Sequence, residues 1–228
     1  MKFMKKTFAI AKAAAVATAF ATLAMSANAA DLTLRGASLF DENHAYTKTL
    51  REFERLIGEA YSGDVEFEMH LNGELGDESD FVTFLQQGVA IDYAIMAPSN
   101  MAVFAPAIPL MDMPFLFRDL DHWNAVLSSD VLKPLEDELY EKADIKVIGY
   151  AGGGTRNLAS AKAIANMDEL GGHKMRVMGA PIQAKIFAAI SAAPAAIAYN
   201  EVYNAIQTGV IEVLKTKQLQ SRTLSSMK

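Results

Sequence analysis

Two arginines carry the clearest chemical signal in this sequence. Arg156 ends Gly152-Gly153-Gly154-Thr155-Arg156, Arg176 sits in Lys174-Met175-Arg176-Val177, and each stands beside an apolar run that reads as a β-strand. A guanidinium stays charged at any working pH and presents a planar fork of donors that fits a carboxylate in bidentate geometry. A small organic anion is therefore the ligand such a pair would suit; the bland alternative is two surface ion pairs in an acid-rich chain. His44 follows the first predicted strand and could donate to the same anion, or be an ordinary loop histidine. The other histidines, His70, His122 and His173, are scattered, and the four form neither H-E-x-x-H nor an i, i+4 pair, so spacing supports no metal site. The triple glycine is followed by no Lys-Ser or Lys-Thr, and G-x-G-x-x-G fails at Asn157, so no nucleotide cofactor is expected. Without a cysteine or a G-x-S-x-G elbow, no activated nucleophile suggests an enzyme.

Charge and targeting set the context. Lys2, Lys5, Lys6 and Lys12 precede an apolar stretch from Ala13 to Met25, followed by Ala27-Asn28-Ala29. That is a basic n-region, an h-region and an A-x-A cleavage site, so residues 1–29 read as a signal peptide and the mature chain as periplasmic. The apolar stretch falls short of the roughly 20 residues of a spanning helix, so no membrane span is expected in the mature chain. Between residues 30 and 212 lie all 27 acidic residues against 13 basic ones, a net charge of −14. Such a body repels nucleic acid, and an anionic ligand would have to be captured locally by particular arginines.

The elements that must position those residues alternate. Leu32–Ala37 reads as a strand, and Thr47–Tyr61 puts Leu50, Phe53, Leu56, Ile57 and Ala60 on one helical face. Val65, Phe67, Met69 and Leu71 alternate with polar residues in a half-buried strand. Asp77–Gln87 is a helix stopped by Gly88, and Ile91–Met96 is the next strand. This β-α-β-α-β order predicts an α/β fold with a parallel sheet, whose loops Phe40–His44, Asn72–Gly76 and Ala97–Met101 share one rim. A helix over Val131–Lys142 and a strand over Ile145–Tyr150 close an N-terminal domain, residues 30–150. A second α/β domain, residues 151–212, would contain the strand Lys174–Met178, a helix from Pro181 to Ile190, a short strand Ala195–Ala198 and a helix Asn200–Gln207 closed by Gly209. Val210 and Ile211 would begin a further strand.

Read together, four ordered segments add a resemblance. They are Met113-Pro114-Phe115-Leu116-Phe117-Arg118-Asp119, Gly154-Thr155-Arg156-Asn157, the run from Met167 to Val177, and the run from Tyr199 to Val210. With His44 and Leu71-Asn72-Gly73-Glu74-Leu75-Gly76 they resemble the solute-binding proteins of TRAP (tripartite ATP-independent periplasmic) transporters, the dicarboxylate-binding family. The resemblance implies a periplasmic solute-binding protein fold, two α/β domains closing over one ligand. It also implies Arg176 as the main carboxylate contact, Arg156 as a second, Tyr199 packing on the ligand, and delivery of a small organic acid to TRAP membrane subunits. An ABC-type solute-binding protein, or a secreted α/β enzyme, is the alternative class. Asn200 replaces a usual small residue, and Ala97 brings no polar side chain to the rim, so the ligand's identity stays open.

The end of the chain departs from that pattern. The family continues after T-G-V as [VI]-D-G-x-E-N, whereas this chain reads Ile211-Glu212-Val213-Leu214-Lys215-Thr216-Lys217 and turns basic. One permitted choice of codons for residues 212–216 encodes Gly-Ala-Glu-Asn in a shifted frame. Residues 213–228 are accordingly expected to be an aberrant, out-of-frame tail, with the second domain incomplete and ligand binding weak or lost. The nucleotide sequence across codon 212 tests this.

Overall fold

A computed structural model describes residues 30–152 and 155–217. The predicted signal peptide, Gly153, Gly154 and residues 218–228 of the expected tail lie outside them.

The first half is a run of β1 (Leu32–Ala37), α1 (Ala45–Ala60), β2 (Val65–His70), α2 (Glu78–Gln87) and β3 (Tyr93–Ala94). β1 lies centrally and pairs parallel with both neighbours, Leu32 opposite Val65 and Gly36 opposite Tyr93. Parallel strands cannot be joined by a tight turn, and the two helices supply the crossovers. Ala37, Leu39, Phe81 and Ile91 form the core between sheet and α2. Gly36 is dictated by packing, because a Cβ there would stand 2.5 Å from the Tyr93 ring.

Several expectations need correction here. Leu56 is half exposed, and Glu54 is buried in its place. The reason is a bond: the Tyr93 hydroxyl donates to Glu54 Oε1 at 2.5 Å, which draws a carboxylate under the helix. The strand expected over Ile91–Met96 pairs only at Tyr93 and Ala94, since β1 ends at Ala37 and Ser38 N turns to His70 O. The expected strand Ile145–Tyr150 forms no ladder among the described residues, although Ile145 and Val147 still face the cluster of Ala105, Ile108, Leu139 and Ala143. Alternation survives there without a partner strand.

Two 3-10 turns, Pro98–Met101 and Ile108–Asp112, lead to α3 (Leu120–Leu127) and α4 (Lys133–Ala143). α4 starts two residues later than expected, after a 3-10 turn at Asp130–Leu132. Pro134 explains the shift, because a residue without an N–H fits only the first helical turn.

The second half contains β4 (Arg156–Ser160), β5 (Lys174–Val177), α5 (Pro181–Ala189), β6 (Ala193–Ala196), α6 (Val202–Gln207) and β7 (Val213–Lys217). The strands form one sheet in the order β4-β7-β5-β6. β5 is parallel to β6 and β7, with Arg176 opposite Ala195 and Leu214, while β4 runs antiparallel to β7. β6 begins two residues before the expected strand. Residues 213–217, set apart from this domain on sequence, form one of its two inner strands: Val213 joins Met175, Val177 and Phe187 on one face, and Leu214 joins Val202, Ala205 and Ile211 on the other. Apolar residues of alternating direction fit a buried strand whatever their origin. The whole is a mixed α/β fold of two sheets.

Candidate functional site

Arg176 owes its position to strand period. Met175 and Val177 point into the core under α5, so Arg176 between them emerges on the opposite face, next to Leu214 and Ala195. There it is 8% exposed, and its Nε donates to the Ile197 carbonyl at 2.8 Å. That bond fixes the plane of the guanidinium and leaves the terminal nitrogens for another acceptor. Arg156 opens β4, and both arginines line one cleft between the two sheets.

The opposite wall comes from the loops after β1 and β3 and from the start of α2. The Phe40 ring stacks on His44 at 3.8 Å and meets Tyr199 at 4.9 Å, while Tyr46 approaches edge-on at 5.4 Å. His44 Nδ1 accepts the Tyr46 amide at 3.2 Å, capping α1. With Nδ1 accepting that amide, Nε2 is the ring nitrogen that can donate. The cleft thus gathers all four residues singled out in the sequence: Arg156, Arg176, Tyr199 and His44. Of the three predicted rim loops, Phe40–His44 and Ala97–Met101 reach it, and Asn72 is tied alongside by its amide to the Phe40 carbonyl at 3.2 Å.

Sequence reasoning missed Glu78, Asn100, Tyr46 and Lys215, which also line the cleft. Glu78 is the first residue of α2. Asp77 accepts the amides of Ser79 and Asp80 at 2.7 and 3.2 Å, and Asp80 returns a bond to the Asp77 amide at 2.8 Å, a reciprocal capping box. The acidic run Asp77-Glu78-Ser79-Asp80 after a rim loop was the available signal. The Asn100 amide donates to the Glu78 carboxylate.

Electrostatics in the cleft are dominated by burial. It pushes the Glu78 carboxyl up to about 7, against the pull of Asn100, the Ala97 amide, Arg176 and Arg156. Burial, and then the like charge of Arg156, bring Arg176 down to about 10, which keeps it cationic at neutral pH. Lys215 is lowered by the same two causes, and the Tyr46 and Tyr199 phenols are raised by burial. Among the described residues neither Arg156 nor Arg176 forms an ion pair with a carboxylate. A buried guanidinium with a second one in the same cleft, neither in an ion pair with a carboxylate among the described residues and both flanked by aromatic faces, can hold an organic anion.

Residues 37–215 match the sequence model of the bacterial extracellular solute-binding protein family 7, DctP. A solute-binding protein from Sulfitobacter sp. (strain NAS-14.1) is 71% identical over 211 residues, covering 92% of this chain and 63% of the relative. Among solved structures, a TRAP periplasmic solute binding protein from Sulfitobacter sp. with bound α-D-taluronate superposes with a TM-score of 0.80 at 71% identity, covering 85% of this chain and 63% of that one. Another, from Roseobacter denitrificans OCh 114 with bound L-galactonate, gives a TM-score of 0.78 at 28% identity, with 86% and 64% covered. This chain therefore spans somewhat under two thirds of the length of these relatives.

Proposed function

The chain belongs to the bacterial extracellular solute-binding protein family 7, and from that membership we propose that it is the ligand-holding part of a periplasmic receptor for a small organic carboxylate. The observation that carries this reading is the pair of cleft arginines, Arg176 buried and held by a neutral carbonyl, neither paired with a carboxylate among the described residues. The ligand carboxylate takes the fork of Arg176, with Arg156 as the second cation. Tyr199 packs on the ligand's carbon skeleton, and His44 donates from the rim. A sugar acid is the favoured ligand, given the taluronate and galactonate held by two relatives.

Export follows from the signal peptide read at residues 1–29, and the loaded receptor hands its ligand to TRAP-type membrane subunits. The division near Tyr150 is the hinge, with residues 30–150 and 151–212 as the two bodies that close on the ligand. The chain spans 63% of the length of the Sulfitobacter relatives. This chain alone is expected to bind weakly. Calorimetric titration of the purified chain at millimolar ligand tests the reading: α-D-taluronate and L-galactonate bind, and the uncharged alcohol galactitol does not. Equal heats for galactitol and galactonate would remove the arginine-based reading.

A further inference from the structure

Glu78 gives the cleft a second pole. It lines both the main cleft and an adjoining hollow bounded by Gly179, Ile197 and Ala198, standing with Arg176 and Tyr199 where the two meet. Arg156 and Lys215 line the first hollow only, and Asp77 the second only. Glu78 and Arg176 thus face both hollows, with two further cations in the first and one further acid in the second. The Asp77–Asp80 capping box sets the Glu78 backbone, and the Asn100 side-chain amide and the Ala97 amide hold its carboxyl.

We propose that Glu78, held by Asn100, sets the charge rule of this site: it hydrogen-bonds the hydroxyl groups of a ligand bearing one carboxylate and rejects a ligand bearing a second. The inference rests on the carboxylate-receptor reading above and adds which carboxylates enter. Once the arginines have taken the first carboxylate, a second one beside Glu78 meets a desolvated like charge. A hydroxyl there instead donates to Glu78 in a charge-assisted bond. Facing Glu78 are Asn100 from the loop after β3, Arg176 from β5 and Arg156 from β4; His44, Tyr46, Tyr199 and Lys215 complete the cleft wall. Because burial places the Glu78 carboxyl at about 7, the discrimination strengthens as pH rises through that value and fades below it.

L-Galactonate and galactarate test this cleanly, since they differ only in a terminal hydroxymethyl or carboxylate. Near pH 8, calorimetry on the wild-type chain is expected to give galactarate an affinity at least about tenfold below that of galactonate. The Glu78→Gln chain should narrow that ratio to within about threefold, and lowering the wild type to about pH 6 should narrow it without any substitution. The pH arm also serves if the variant folds poorly, and the variant's own ratio should not move with pH. Equal wild-type affinities, a preference for galactarate or succinate, or a ratio indifferent to both Glu78→Gln and pH would overturn the inference while leaving a carboxylate receptor. Binding of none of these acids by the wild type would overturn both.

Discussion

A guanidinium removed from water keeps its charge only if the surroundings repay it, and the Arg176 Nε donates to a neutral carbonyl. Its value to a ligand is accordingly high. Arg176→Ala should cost galactonate binding about 100-fold or more, and Arg176→Lys about tenfold, since lysine restores the charge without the planar fork. Calorimetry reads both. Glu78 contributes to stability with the opposite pH sense to most carboxylates. Its folded-state value of about 7 lies above the ordinary 4.5, so its favourable contribution is complete below about 4.5 and is lost as pH rises through about 7. Burial thus costs the charged form on the order of 3 kcal/mol. Urea midpoints should rise between about pH 8 and 5 in the wild type more steeply than in Glu78→Gln.

At the scale of elements, each site residue is placed by a local rule that continues into packing. Period two turns Arg176 away from the core that Met175 and Val177 fill, and the capping box that starts α2 delivers Glu78. The position of β1 depends on Gly36, whose missing side chain lets the Tyr93 ring lie against the strand while its hydroxyl reaches Glu54 at 2.5 Å. A methyl at 36 must displace a ring that is tethered at its far end. Gly36→Ala should therefore destabilise the chain by about 2 kcal/mol, measured by urea unfolding. Exposed ion pairs on α1, such as Arg55 with Glu52 and Glu59, should matter far less, because water screens them.

At the scale of the molecule, the two sheets are joined by buried polar contacts as well as by the chain. Gln183 on α5 is 2% exposed; its Nε2 donates to Ser99 Oγ at 2.7 Å and its Oε1 accepts the Met178 amide at 3.3 Å. Ser99 is fully buried, and its amide donates to Asp112 at 2.8 Å. This bridge fixes the loop after β3 against the second sheet, beside the cleft. Gln183→Leu would leave Ser99 and the Met178 amide without that partner, at a cost of about 1–3 kcal/mol. Galactonate affinity should fall with it, because the facing walls would no longer be held in register; unfolding curves and calorimetry on the one variant check both effects.

The sequence by itself determined much of the alternation of strands and helices, and it singled out four of the side chains that line the cleft. Periodicity and family motifs are local, and a local pattern survives any arrangement of its neighbours. Partnership is not local. Ile145–Tyr150 has a strand's alternation and pairs with nothing among the described residues, while residues 213–217, set aside on sequence, pair on both sides. Glu78 and Asn100 are 22 positions apart, and Gln183 and Ser99 are 84. Only the folded chain brings such pairs together, and only burial turns an unremarkable helix-start glutamate into the acidic pole of the site, because the cost of charging a carboxyl depends on the water it has lost.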